Sequence, residues 1–285
     1  MINAENLIER ANLKKQLSLW RLVAIFVIAI LLVKIVGGFS FSLMGDAENS
    51  LSNINKPYIA RINIDGVIYR DSDREEILQE IKNDKNIKAI ILNINSPGGS
   101  AVGGETLYKI LKDINKTKPI ASVFGSMATS AGYMVALGTE QIFAHNGTIT
   151  GSIGVIMQIP NFSEAADKLG VTFDHIKSSP LKGSPSPFEK KNERAFQVIE
   201  GMMLDFFGYF KKIVQTERKL SNSELRYVSD GRVLSAKKAL EYNVIDAIGT
   251  EQDALEWLKE SKKLNNNIEI VDVKLYKPEP PFKKF

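Results

Sequence analysis

"IKAIILNINSPGGS", residues 87–100, is an almost unbroken apolar run that stops at Pro97-Gly98-Gly99. A strand buried on both faces reads this way, because a parallel sheet covered by helices leaves neither side to water. On either side of the run, "REEILQEIKNDKN" (74–86) and "VGGETLYKILKDINK" (102–116) place apolar residues at helical spacing. Further strands are read in "PYIARINIDGVIY" (57–69), with a turn or bulge at Asp65-Gly66, and in "KPIASVFG" (118–125). Strand and helix alternating at this rhythm predict an α/β fold, a parallel sheet flanked by helices, with ligands at the carboxyl ends of the strands.

Beyond this core, "NFSEAADKLG" (161–170) is expected to be helical and "VTFDHIKS" (171–178) extended. Residues 188–218 read as a long amphipathic helix rich in Phe and Met, and "SAKKALEYNVIDAIG" (235–249) as helix then strand. No internal repeat is present. One catalytic domain over residues 57–275 is expected, followed by a Pro-rich basic tail, 276–285.

The amino-terminal part is of another kind. "LVAIFVIAILLV" (22–33) is continuously apolar, and the stretch extends to Met44 if Lys34 snorkels to the far interface. Arg10, Lys14, Lys15 and Arg21 precede it, whereas Asp46 and Glu48 follow. The positive-inside bias therefore predicts a cytoplasmic segment (1–20), a single-pass signal anchor (21–44) and a linker (45–56), with the domain across the membrane. A cleaved signal peptide is the alternative, but the charged region before the apolar core is long for one and "GDA" (45–47) is a weak cleavage match.

The net charge of +4 comes from 37 basic and 33 acidic residues scattered through amphipathic segments, which argues against nucleic acid as a partner. Cysteine is absent, so disulfides, thiolate nucleophiles and thiolate metal sites are excluded. The only histidines are His145 and His175.

Two loops rich in small residues carry the candidate chemistry. In "SPGGS" (96–100), Gly98 and Gly99 can turn backbone N–H groups into a concavity; in "ATSAGY" (128–133), the amides after Ser130 open a helix running through "YMVALG". Donors converging from two strand ends suit an oxyanion site, and a serine at the helix start between them is placed to attack. For either loop alone, a tight crossover with close helix packing is the better explanation; the pair favours catalysis. The serine needs a base. His145 lies in "HNG", which is good turn chemistry, and His175 in a half-exposed stretch. Most lysines stand in solvated runs, but Lys182, in "SSPLKGSPSPF" (178–188), has Leu181, prolines and Phe188 nearby and no adjacent charge, a setting in which burial would favour the uncharged amine.

The motifs "NSPGGS", "GSMATSAGY", "TGSIGVIM", "DKLGV", "IKSSPLKGSPSPF" and "DGRVLSAKKALEYNVIDAIG" resemble the signal peptide peptidase A family, membrane-anchored serine-lysine peptidases, in its short form; the resemblance runs from about Tyr58 to Leu255. "SPGG" alone would also fit Clp peptidases or the crotonase fold, whose layout the α/β sheet is expected to share. The resemblance implies Ser130 as nucleophile and Lys182 as general base, the two standing 52 residues apart as in the family. It further implies Ser152 as the hydroxyl orienting the lysine, the Gly99 and Ala131 amides as oxyanion donors, and Gly98 and Ser126 as substrate-binding residues. Where the family usually has Gly, this chain has Ala131, which would be strained if that position required φ > 0. The implied substrates are remnant signal peptides and other extended peptides, no cofactor or metal is needed, and the implied location is the bacterial inner membrane with the catalytic domain outside the cytoplasm. The resemblance also implies a homo-oligomeric ring in which neighbouring protomers supply the serine and the lysine of one site.

Three rivals remain at this level. A Clp-type triad would place its histidine about 25 residues after the nucleophile, where this chain has Val155. A crotonase-like acyl-CoA enzyme could use Glu105 as base, and a membrane-tethered scaffold would need none of this chemistry.

Overall fold

The run that begins at Ile87 becomes an interior strand of an eight-stranded sheet in the computed structural model, which describes residues 20–28 and 56–276. The chain divides into two units, residues 1–53 and 54–285. In the first, residues 20–28 form a helix, α1, with exposed apolar side chains. No helix among the described residues is long and apolar enough to cross a membrane. Residues 29–44 of the expected anchor lie outside the described residues, as do 1–19, most of the linker and the tail from 277.

In the second unit the order is β1 (Tyr58–Ile68), α2 (Ser72–Asn83), β2 (Ile87–Gly99), α3 (Ala101–Asn115), β3 (Ile120–Thr129), α4 (Ala131–Ala136), β4 (Gln141–Ala144) and β5 (Ile149–Gly151). There follow α5 (Ser163–Lys168), α6 (Glu193–Arg218), α7 (Asn222–Val228), β6 (Val233–Ser235), α8 (Ala236–Glu241), β7 (Ala247–Ile248), α9 (Glu251–Ser261) and β8 (Glu269–Val273). The strands lie in the order β6-β5-β3-β2-β1-β8, with β4 paired to β3 and β7. All pairings are parallel except β5 with β6. The break expected at Asp65-Gly66 is a register shift between Asp65 and Val67.

Burial explains why the central run is apolar throughout. Ile59, Ile91, Val123 and Phe143 pack against Ala254, Leu255 and Leu258 of α9 on one face. The alternate residues Ile90, Leu92 and Ile94 are equally buried and face the other side. Ser100 caps α3, its hydroxyl accepting from the Gly103 N–H at 3.1 Å.

Two expectations are corrected. Residues 171–178 form no strand: they lie in an irregular arm between β5 and α6, where Phe173 stacks on Phe188 (4.2 Å between centroids) and α5 is the one regular element. Side-chain stacking and ion pairs stand there in place of a ladder. The long helix starts at Glu193 rather than 188, because residues 186–189 close a turn of their own, the Glu189 N–H donating to the Ser186 carbonyl at 3.3 Å, and Asn192 caps the helix, accepting from the Ala195 N–H at 3.2 Å.

The carboxyl end of α6 is locked to the sheet. Arg218 makes two bonds to the Asp246 carboxylate (2.7 and 3.0 Å) and donates to the Asn243 carbonyl, and Asp246 also accepts from the Ile142 N–H at 2.8 Å. Only 12% of the Arg218 side chain and 25% of the Asp246 side chain are exposed. Asp246→Ala would strand a buried guanidinium and a strand N–H, a loss of about 3–5 kcal/mol for a buried pair broken on one side. Urea unfolding of the variant should show a lower midpoint with an unchanged slope.

Candidate active site

Ser130 stands where β3 ends and α4 begins, and its backbone is held at φ 53, ψ −119. Side chains other than hydrogen rarely occupy this region, so the conformation is strained and must be fixed by its surroundings. Three contacts fix it. The Ser130 N–H donates to the Gly151 carbonyl at 2.9 Å, continuing the β3–β5 pairing of Thr129 with Gly151. The Ser130 carbonyl accepts from the Met134 N–H at 2.9 Å, closing the first turn of α4. All six residues of α4 are buried, and the Tyr133 hydroxyl donates to the Val244 carbonyl at 2.9 Å. Burial pushes the Tyr133 phenol above the ordinary tyrosine range, which keeps it the protonated donor this bond requires. Strain expected for Ala131 therefore falls on Ser130, and Ala131 is an ordinary helical residue.

The "SPGG" loop meets this turn directly. Gly98 has φ +117, and a Cβ there would lie 2.9 Å from the Ser130 Cβ and 3.3 Å from its Oγ. At Gly99 a Cβ would fall 1.9 Å from the Ile68 carbonyl oxygen. That carbonyl accepts from the Ser100 N–H at 2.8 Å, so the alternation of a parallel ladder turns the Gly99 N–H away from β1 and toward the β3 side. The Ala131 N–H, at the first position of α4, has no partner within the helix. Two backbone donors thus flank Ser130.

Two buried hydroxyls brace the loop, and sequence reasoning missed both. Ser96 Oγ accepts from the Gly98 N–H at 3.1 Å, and Thr129 Oγ1 donates to the Pro97 carbonyl at 2.9 Å. Ser96 is fully buried and Thr129 nearly so. Their signal was a polar residue at each apolar strand's end, beside the glycines.

Ser152 comes next to Ser130 because the β3–β5 register sets Thr129 opposite Gly151. It too has a positive φ, 51°, and its N–H donates to the Arg232 carbonyl at 2.8 Å. Ser126 is exposed on β3. The half-buried Ser130, Gly98, Gly99, Ala131 and Ser152 are therefore brought together.

Lys182 is joined to that group by no hydrogen bond among the described residues. It lies on a turn of the arm, its N–H donating to the Ser179 carbonyl at 3.1 Å, and its ammonium is exposed with no hydrogen bond or ion pair among the described residues. The dry surroundings expected from the sequence are absent in the single protomer. The arm does carry strongly exposed apolar side chains, Ile156 and Leu169 at 79% and Ile176 fully exposed. Elsewhere in it, Lys177 pairs with Glu189, whose carboxyl that ammonium and the Ser184 hydroxyl hold below the usual range.

The rival bases stand elsewhere. His145 is exposed on the turn after β4 and lines an open cleft of about 520 Å³ with Asn93, Asn95 and Glu251, apart from Ser130. His175 stands 3.8 Å from Glu189 in the arm. Glu105 pairs with Lys109 at 2.5 Å and accepts from the Tyr209 hydroxyl at 3.2 Å; the Lys109 bond, against burial, holds its carboxyl below the usual range. No cluster among the described residues could hold a metal ion.

A sheet of this topology ends in a strained serine at a buried helix start, an arrangement suited to a serine hydrolase. The profile of Peptidase family S49 matches residues 112–265, and that of Clp protease matches 62–149. A Synechocystis protein named as a protease is 34% identical over 70% of this chain and 72% of its own length. An Enterococcus faecium protein named as a signal peptide peptidase, SppA, is 36% identical over 66% of this chain and 55% of its own. Among solved structures, the 1510-N membrane-bound stomatin-specific protease superposes with a TM-score of 0.50 at 18% identity, covering 77% of this chain and 99% of its own. The chain belongs to peptidase family S49 and is a serine peptidase.

The strain at residue 130 has a measurable consequence. Ser130→Gly removes the side chain that the φ of 53° disfavours, whereas Ser130→Ala keeps a Cβ there. The glycine variant should be the more stable of the two by about 1 kcal/mol in denaturant titrations, strain relief exceeding the entropy that glycine loses on folding.

Proposed function

We propose that the protein is a membrane-anchored serine endopeptidase in which Ser130 is the nucleophile and Lys182 the general base, acting on remnant signal peptides and other extended peptides. The observation that carries this reading is the positioning of Ser130: a strained, half-buried hydroxyl between the Gly99 and Ala131 amides, in a chain of family S49. In the proposed reaction the uncharged Lys182 amine takes the Ser130 proton as Oγ attacks the scissile carbonyl. The two amides hold the oxyanion, and Lys182 returns the proton to the leaving amine. Water activated by the same amine then hydrolyses the acyl-enzyme. Ser152, beside Ser130 across the β3–β5 ladder, would orient the amine. An extended substrate would run past Gly98 and Ser126 as an added strand.

In one protomer the Lys182 side chain is exposed on a turn of the arm, with no hydrogen bond to the residues around Ser130 among the described residues. The reading therefore places the completed site in a homo-oligomeric ring, where the arm's exposed Ile156, Leu169 and Ile176 pack on a neighbour and each lysine serves the neighbouring serine. The apolar segment 21–44 would anchor the chain in the bacterial inner membrane, with the peptidase domain outside the cytoplasm.

Ser130→Ala and Lys182→Ala should each lower fluorogenic-peptide hydrolysis by about 10³-fold or more, with His145→Ala unchanged. Assembled together, the two inactive variants should recover part of the rate, because some interfaces then pair an intact serine with an intact lysine. Full activity in Lys182→Ala would exclude the dyad, and no recovery on mixing would place both residues in one chain.

A further inference from the structure

Parallel strands give the sheet two unlike ends. Ser130 follows the carboxyl end of β3, and at the opposite end, roughly 30 Å away along a ten-residue strand, lies a concentration of lysines. Lys82, Lys85, Lys88 and Lys118 line an open cleft of about 610 Å³ formed by the last turn of α2, the start of β2 and the loop after α3. Lys116 stands at its rim, at the carboxyl end of α3.

Two carboxylates answer these five ammonium groups. Asp113 takes Lys82 (2.5 Å) and Lys116 (3.0 Å). The Asp84 carboxylate is occupied by the Tyr58 hydroxyl and the Asn86 N–H, both at 2.8 Å, and its carbonyl by the Lys118 ammonium. The Lys88 ammonium finds the Lys85 carbonyl at 2.9 Å, and Lys85 has no ion pair among the described residues. Burial, opposed by Asp84 and reinforced by the Lys88 charge, holds the Lys118 amine below its ordinary value. Complementing helix dipoles accounts for Lys82, in the last turn of α2, and Lys116, the C-cap of α3. It does not account for Lys85 and Lys88, exposed on the turn and the first residues of β2.

The first described residues of the body lie beside this cleft. Tyr58, the first residue of β1, donates its N–H to the Asn86 carbonyl at 2.9 Å and pairs with Ile87, and Lys56 adds another exposed cation just before it. Residues 45–57 could reach at most about 45 Å when fully extended, so a tether at Met44 keeps this end of the body within reach of a bilayer.

We propose that the lysine cleft docks on the phosphate headgroups of an anionic phospholipid bilayer, setting the strand amino ends toward the membrane and the Ser130 end away from it; this rests on the membrane-anchored reading above. A single soluble phosphate would need donors converging on one point, whereas helix carboxyl ends present carbonyls here and the ammonium groups are spread around a wide rim. A plane of many phosphates matches that spread, and juxtamembrane cations gain from it within a Debye length.

The test is lysine-resolved labelling of the full chain by an amine-reactive ester, read by mass spectrometry, in nanodiscs of phosphatidylcholine alone or with phosphatidylglycerol. Lys85, Lys88 and Lys116 should label at least about threefold more slowly in the anionic discs, the difference vanishing at high salt, while Lys211 and Lys237, outside the cluster, stay unchanged. Equal labelling in both lipids would overturn the proposal, as would equal protection by soluble pyrophosphate in zwitterionic discs. If the chain does not enter discs at all, the anchored reading fails separately. Flotation with phosphatidylglycerol vesicles then decides the cleft: binding lost in Lys85→Glu/Lys88→Glu/Lys116→Glu supports it, and no binding by the unaltered chain overturns it.

Discussion

The structure around Ser130 depends on one steric constraint, the contact between two backbones with no room for a side chain between them. Gly98 lies so close to Ser130 that a Cβ would intrude at 2.9 Å, and Gly99 so close to Ile68 that one would overlap the carbonyl. This approach lets β2 run on beside β1 to Gly99 while β3 turns aside into α4. It gives the loop and the helix start a common rim, with amides from each side of the serine. The buried hydroxyls of Ser96 and Thr129 hold the rim where the ladder between β2 and β3 stops.

The strain at Ser130 is intelligible in that setting. A backbone at φ 53 persists only if its neighbours determine it, and here a sheet bond, a helix bond and a fully buried six-residue helix do so. Tyr133 ties that helix to the segment that Arg218 and Asp246 lock to α6. The serine's position thus depends on packing that extends to the long helix.

The central β-α-β-α-β pattern was legible because continuous apolar runs and helical spacing leave few other solutions, and Pro97-Gly98-Gly99 and Ser130 marked the strand ends correctly. The arm between β5 and α6 was less legible. "VTFDHIKS" has the β-branched and aromatic residues of a strand, but no neighbouring edge receives it, and Phe173 spends its surface on Phe188. Sequence also gave Lys182 apolar neighbours along the chain without showing that the turn faces outward, because proximity along a chain does not set exposure. Ser96 and Thr129 were hidden for the opposite reason: a hydroxyl's value lies in a bond to another strand end, which no single segment contains.

Ala131 has a further consequence through α3. Gly104 faces it so closely that a Cβ there would lie 3.0 Å from the Ala131 methyl and 3.3 Å from the Met134 sulfur. The crossing between α3 and α4 therefore holds a single methyl group. The two positions are coupled by volume: the methyl at 131 leaves little room for a side chain at 104, and a glycine at 131 would relieve only the tightest of three contacts, since the residue-131 Cα and the Met134 sulfur would still stand at 3.3 Å.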